Sequence, residues 1–177
     1  MKCSSSLPPH GPVACNRCYE GQEVVWNKSS RRVGSSNPPR WNIEANPCAW
    51  GGSSPKYVVL GFSKGANQRF AGQQFNDVPF AGMRSQLTHI LRSLGVLASH
   101  DKIDHHIHDS ETDFAFGSLI RCSLSQYDAA RGAYAKSGGN ILVQALRDSE
   151  TNKIAKACVD RFLGNLPTTV RVVFMLG

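Results

Sequence analysis

The chain of 177 residues divides into two regimes of apolar and polar spacing. Up to residue 56 it follows neither the helical nor the strand period. Ser, Pro, Gly and Asn dominate there, and only Glu23–Trp26 suggests a short strand. From Tyr57 the pattern becomes regular. Tyr57–Gly61 (YVVLG) is a β-branched run between Pro55 and a glycine turn, which predicts a buried strand. Met83, Leu87, Ile90, Leu91 and Leu94 recur at helical spacing and predict a helix over 83–94. Residues 113–121 (DFAFGSLIR) predict a second strand, and Gly138-Gly139 precedes a helix over 141–148. Ile154, Cys158, Phe162 and Leu163 mark the inner face of a helix over 151–164, and 170–177 (VRVVFMLG) predict a third strand.

Strands alternating with helices imply a parallel sheet covered on both faces. The expected fold class is α/β: a three-layer αβα arrangement with a short central parallel sheet and an irregular, cysteine-bearing N-terminal segment. Residues 1–56 form that segment, packed on the core through Trp26, Trp41 and Trp50, and 57–177 form the α/β core. Because the sequence stops at the end of a strand, the core is expected to be C-terminally incomplete. In such sheets ligands bind beyond the carboxyl ends of the strands, so the loops after Leu60, Leu119 and Leu176 are of interest.

Composition narrows the function classes. Hydrophobic residues at 41% and charged residues at 19% exclude a disordered or fibrous chain. No apolar run approaches the about 20 residues of a membrane span, and the opening MKCSSSLPPHGPVAC lacks the apolar stretch of a secretory signal. Six cysteines without a signal point to a reducing compartment, so the expectation is a cytoplasmic monomer (nucleoid-associated if bacterial) with no membrane partner. A net charge of +7 favours a polyanionic partner, nucleic acid first, and is also compatible with a plain solvated surface.

Several groupings carry candidate chemistry. Gly61 and Gly65 bracket a turn, GFSKG, whose backbone N–H groups can approach a phosphate or a base. It is neither a P-loop nor a dinucleotide fingerprint. Phe80, in Pro79-Phe80-Ala81-Gly82, either presents an aromatic face to a flat ligand or covers the start of the following helix. The run Asp104–Glu111 (DHHIHDSE) reads as a solvated loop with some capacity for divalent metal. Cys15 and Cys18 form a C-x-x-C pair, while Cys122 ends a strand and Cys158 lies on a helix. Their convergence would build an iron–sulfur or zinc site, with free core thiols at 122 and 158 as the alternative. Cys3 and Cys48 are left over, and either can replace one of the four.

In this order the motifs resemble the iron–sulfur branch of the uracil-DNA glycosylase superfamily. They are Cys15-Asn16-Arg17-Cys18, Val59–Gly65, Pro79–Gly82, Leu119-Ile120-Arg121-Cys122, Ala157–Leu163 and Val172–Gly177. The resemblance implies a [4Fe–4S] cluster on Cys15, Cys18, Cys122 and Cys158, with Zn2+ as the alternative. It also implies DNA as partner and release of uracil or a related deaminated base by hydrolysis of the N-glycosidic bond. Ser63 and Asn67 fall in the catalytic loop. Gly61, Phe62, Gly65, Phe80 and Ser118 form the base pocket, and Arg17, Lys64, Arg69, Arg84 and Arg121 are phosphate contacts. Phe62 and Ser63 stand where the family loop carries a carboxylate or amide, and Ser118 stands where it carries the base-reading Asn. Those departures open the alternative of a non-catalytic nucleic-acid-binding relative with a structural cluster; zinc in place of the cluster would make a third reading, a zinc-stabilised protein-interaction module.

Overall fold

A computed structural model describes residues 6–19, 21–64, 74–136 and 139–176. In chain order the strands are β1 (Gly11–Pro12), β2 (Ser30–Val33), β3 (Trp41–Glu44), β4 (Cys48–Gly51) and β5 (Tyr57–Lys64). Helix α1 (Arg84–Ser93) leads to β6 (Phe114–Asp128) and β7 (Ala133–Lys136). Then come α2 (Gly139–Arg147), α3 (Ser149–Phe162) and β8 (Val172–Met175).

The three-layer αβα expectation is overturned. The strands make one curled, half-barrel sheet of eight strands, and antiparallel pairs dominate it. Only β5–β6 and β5–β8 are parallel among the described residues, while β1–β4, β2–β3, β3–β6, β4–β6 and β6–β7 are antiparallel. The cause lies in β6. It runs for 15 residues, past the point where the apolar run ends. Ile120, Cys122 and Leu124 stay buried and alternate with Arg121, Ser123 and Ser125, so the strand period of two persists. A strand that long needs partners along both edges, because a buried unpaired backbone is costly. β5 and β7 take one edge; β4 and β3 take the other.

Those two partners come from the segment expected to be irregular. Trp41 and Ile43 of β3, and Cys48 and Trp50 of β4, are buried, so four-residue strands form there by pairing with β6. Glu23–Trp26, by contrast, forms no strand. Gly51 closes β4 at φ +80°, and a Cβ there would run into the Phe114 carbonyl oxygen. Only glycine meets both demands.

Three apolar clusters hold the sheet. Leu87 and Leu91 of α1 pack on Val59, Phe114 and Phe116 with Trp50. Ile141 and Ala145 of α2 and Ile154 and Ala155 of α3 pack on Ile43, Ile120 and Leu124. Leu163 and Leu166 lie with Val58, Leu60 and Ala115. Among the described residues no helix is long and apolar enough to cross a membrane.

Candidate metal centre

The site begins with a slip in the β5–β6 ladder. Ser63 pairs with Ile120, but the next residue, Lys64, pairs with Ser123, so Arg121 and Cys122 have no partner in β5. Bulges of this kind re-aim side chains near functional sites. Cys122 lies buried beside Ile120 and Leu124, in the cluster that α2 and α3 cover. Cys158 comes from α3, one turn after Ile154 and one before Phe162, and it is buried with them. The C-x-x-C segment is pinned from three sides. Tyr19 is buried and its hydroxyl donates to the Ile43 carbonyl at 3.1 Å. Arg31 donates to the Cys18 carbonyl, and Arg161 of α3 donates to the Ala14 carbonyl at 3.1 Å.

Four thiols from three parts of the chain thereby share one electrostatic neighbourhood, and none is in a disulfide. A hydrogen bond links the Cys18 and Cys158 thiols. The hydrogen bond from Cys18 lowers Cys158 against the opposing cost of burial, with help from the Arg121 N–H and the Arg121 and Lys64 charges. The same hydrogen bond, together with burial, raises Cys18. Burial pushes Cys122 up to about 12, partly countered by Lys64. The Lys64 and Arg121 charges both favour the thiolate form of Cys158. Cys48 is buried near the same two cations, and burial raises it against a hydrogen bond from Lys64. Cys3 lies outside the described residues.

By donor chemistry the set suits a thiolate-held group. Among the described residues, however, no group of three or more His, Cys, Asp or Glu side chains is arranged to hold a metal ion. Cys15 also borders a cleft of about 740 Å³, walled by Pro12, Val13, Glu23, Trp26 and Pro47. None of the described residues read as a base pocket lines it.

Those pocket residues meet elsewhere. Gly61 pairs with Ser118 across the ladder, and the Phe80 ring lies so close that a Cβ on Gly61 would touch Cε1 at 3.4 Å. Phe80 is buried, edge-on to Phe116 at 6.2 Å, and adopts φ +54°, a conformation costly for a bulky residue. Phe62 packs partly into the α2–α3 cluster. The Ser118 hydroxyl donates to the Ile120 carbonyl at 2.7 Å, and Ser63 stays in the ladder opposite Ile120. Gly65, Asn67 and Arg69 lie outside the described residues.

The basic residues divide. Lys64 and Arg121 are buried rather than facing solvent. Arg84 braces the turn before α1, donating to the Pro79 carbonyl at 2.9 Å and to Asp104 at 2.9 Å. Arg17, Arg32 and Arg40 are exposed. Sequence reasoning missed the inward turn of Lys64 and Arg121. The one available signal was Gly117, whose missing side chain leaves the space that the Arg121 guanidinium fills. No protein-family model, curated protein or solved structure matches this chain.

Proposed function

We propose that the chain is a uracil-DNA glycosylase-like protein that binds DNA, receives a base turned out of the duplex at Gly61, Phe80 and Ser118, and excises it. Its four thiols, Cys15, Cys18, Cys122 and Cys158, hold a structural [4Fe–4S] cluster. The observation that carries the reading is the meeting of those thiols. It brings together, from positions up to 143 residues apart, the residues that the resemblance pairs (Cys15 to Cys158, 158 − 15). A cluster of several irons spans more space than one tetrahedral zinc, with Zn–S bonds of about 2.3 Å. When bound, it would clamp the C-x-x-C segment to β6 and α3, and its chemistry there is structural.

The Gly61–Phe80–Ser118 group lies three to four residues along the same two strands from Lys64 and Cys122. Base flipping requires an aromatic or apolar wall and a polar edge reader. Phe80, strained and set against a bare backbone, supplies the wall. A second reading is favoured by Ser118, whose hydroxyl is already bonded to Ile120, and by Ser63, which stays in the sheet. In that reading the protein binds DNA without excision.

The test uses anaerobically purified full-length protein with oligonucleotides carrying uracil, single- and double-stranded. Excision predicts free uracil and an alkali-labile site, lost in Phe80→Ala. Salt-dependent binding without release supports the second reading. Protein that contains neither iron nor zinc, and that ignores both substrates, refutes both.

A further inference from the structure

We propose that the cleft beside Cys15 is a docking groove for an extended peptide of another protein, one that carries a lysine or arginine next to apolar side chains. The inference stands apart from the DNA reading and does not depend on a metal.

The cleft, of about 740 Å³, has the size of a ligand site. Pro12, Val13, Val24, Trp26 and Pro47 supply its apolar walls. Those walls are preformed. The Pro47 carbonyl accepts from the Val13 N–H at 2.9 Å and from Trp26 Nε1 at 3.0 Å, which ties three of them to one oxygen. A groove already held in shape loses little entropy when it is filled.

Along this groove runs a stretch of chain with the composition of a strand and no strand to pair with. Glu23–Trp26 (EVVW) is rich in β-branched and aromatic residues, yet forms no ladder. Before it, the Gln22 N–H donates to the Tyr19 carbonyl at 3.0 Å, and within it the Val25 N–H donates to Ser29 Oγ at 2.9 Å. Between those two bonds, the backbone groups of Glu23 and Val24 have no partner among the described residues. Val25 is 45% exposed. A peptide that pairs with such backbone gains main-chain hydrogen bonds for affinity and side-chain pockets for specificity.

Charge selects the occupant. Among the described residues, Glu23 has no ion-pair partner and is the sole charged side chain lining the cleft. In a chain of net charge +7 it makes a local acidic point. It repels a phosphate backbone and attracts a basic side chain. A small apolar molecule would fill the volume but leave the Glu23 carboxylate and the adjoining backbone groups unmet.

The experiment titrates full-length protein with labelled hexapeptides of alternating lysine and valine, read by fluorescence anisotropy and by amide hydrogen exchange. Three further probes are the same peptide with glutamate for lysine, the same peptide with N-methylated backbone, and a uracil-free DNA single strand. The lysine peptide is expected to bind and to slow exchange at the Glu23 and Val24 amides, and the glutamate and N-methylated peptides to bind about tenfold more weakly. Glu23→Gln is expected to weaken the lysine peptide by about 2- to 5-fold, the range of an exposed ion pair. Val24→Pro, which removes a main-chain donor, is expected to weaken it by about tenfold.

Equal binding of the N-methylated peptide overturns strand pairing, and it carries that arm if Val24→Pro does not fold. Binding that ignores both variants, displacement of the peptide from the cleft by the DNA strand, or no binding of the lysine peptide overturns the proposal.

Discussion

At the scale of single residues, His106 shows how a motif that reads as a solvated loop becomes a structural staple. Its Nδ1 meets Glu111 at 2.7 Å and its Nε2 meets Asp101 at 2.7 Å. The other oxygen of Glu111 accepts from the backbone N–H groups of Thr112, Asp113 and Phe114, at 2.9, 2.6 and 3.1 Å, where β6 begins. His105 and His108 touch the same two carboxylates from outside, at 3.0 and 3.7 Å. Burial alone would lower the His106 pKa, but the bonds to Asp101 and Glu111 outweigh it and raise it above 6.5. For Asp101 burial acts upward, yet the His106 and His105 bonds bring it down to about 2. A raised histidine stabilises fully below its ordinary value and loses that contribution as pH climbs through the raised one. A depressed carboxylate contributes above its ordinary 3.8 and fails as pH falls toward about 2. The staple is therefore strongest between about pH 4 and about pH 6.5. Wild-type melting temperature is expected to fall more steeply above that window than that of His106→Gln. Parallel pH profiles in a thermal-shift series would remove the staple from the account.

At the scale of elements, α3 matters most, because it delivers Cys158. Its start is fixed by Asp148, whose carboxylate accepts from the N–H groups of Glu150 and Thr151, each at 3.1 Å. Although burial opposes ionisation, those bonds hold the Asp148 carboxyl below the usual carboxylate range. The buried Thr151 hydroxyl donates back to the Ala145 carbonyl and ties α3 to α2. Loss of an N-cap costs about 1 kcal/mol. Asp148→Ala is expected to lose about that much stability in denaturant unfolding, and Asp148→Asn, itself a good cap, to recover most of it. Equal losses in the two variants would show that α3 is held by packing alone.

At the scale of the whole molecule, a net charge of +7 is spread unevenly. Lys64 and Arg121 are withdrawn into the core, whereas Arg32 and Arg40 stand exposed on β2 and the turn before β3. Arg32 lies over the Tyr134 ring at 5.4 Å, which couples a cation with an aromatic face on one side of the sheet. Such pairing suits a nucleic-acid strand. Each phosphate contact adds about 0.9 to the slope of log affinity against log salt. On the proposed DNA-binding reading, the double variant Arg32→Gln, Arg40→Gln is expected to lower that slope by about 2 in DNA titrations. An unchanged slope would remove Arg32 and Arg40 from the proposed contact surface.

By itself the sequence determined the regular elements whose signal is local. The helix read over 83–94 is Arg84–Ser93, those over 141–148 and 151–164 are Gly139–Arg147 and Ser149–Phe162, and three of the strands start within two residues of their expected positions. Helical spacing and β-branched runs are properties of a few neighbouring residues, so they can be read without the fold. The four-residue strands β3 and β4 carry too short a pattern. They exist because β6 presents a long edge to them, and that pairing spans more than 60 residues, as in Trp50 opposite Phe116 (116 − 50 = 66). The cysteines followed the same division. Their spacing suggested a common centre, but the inward turn of Lys64 and Arg121 came from a ladder slip and from the space left by Gly117. Which charges surround the thiols was decided by tertiary structure, because burial and register belong to the assembled sheet and to no single stretch of chain.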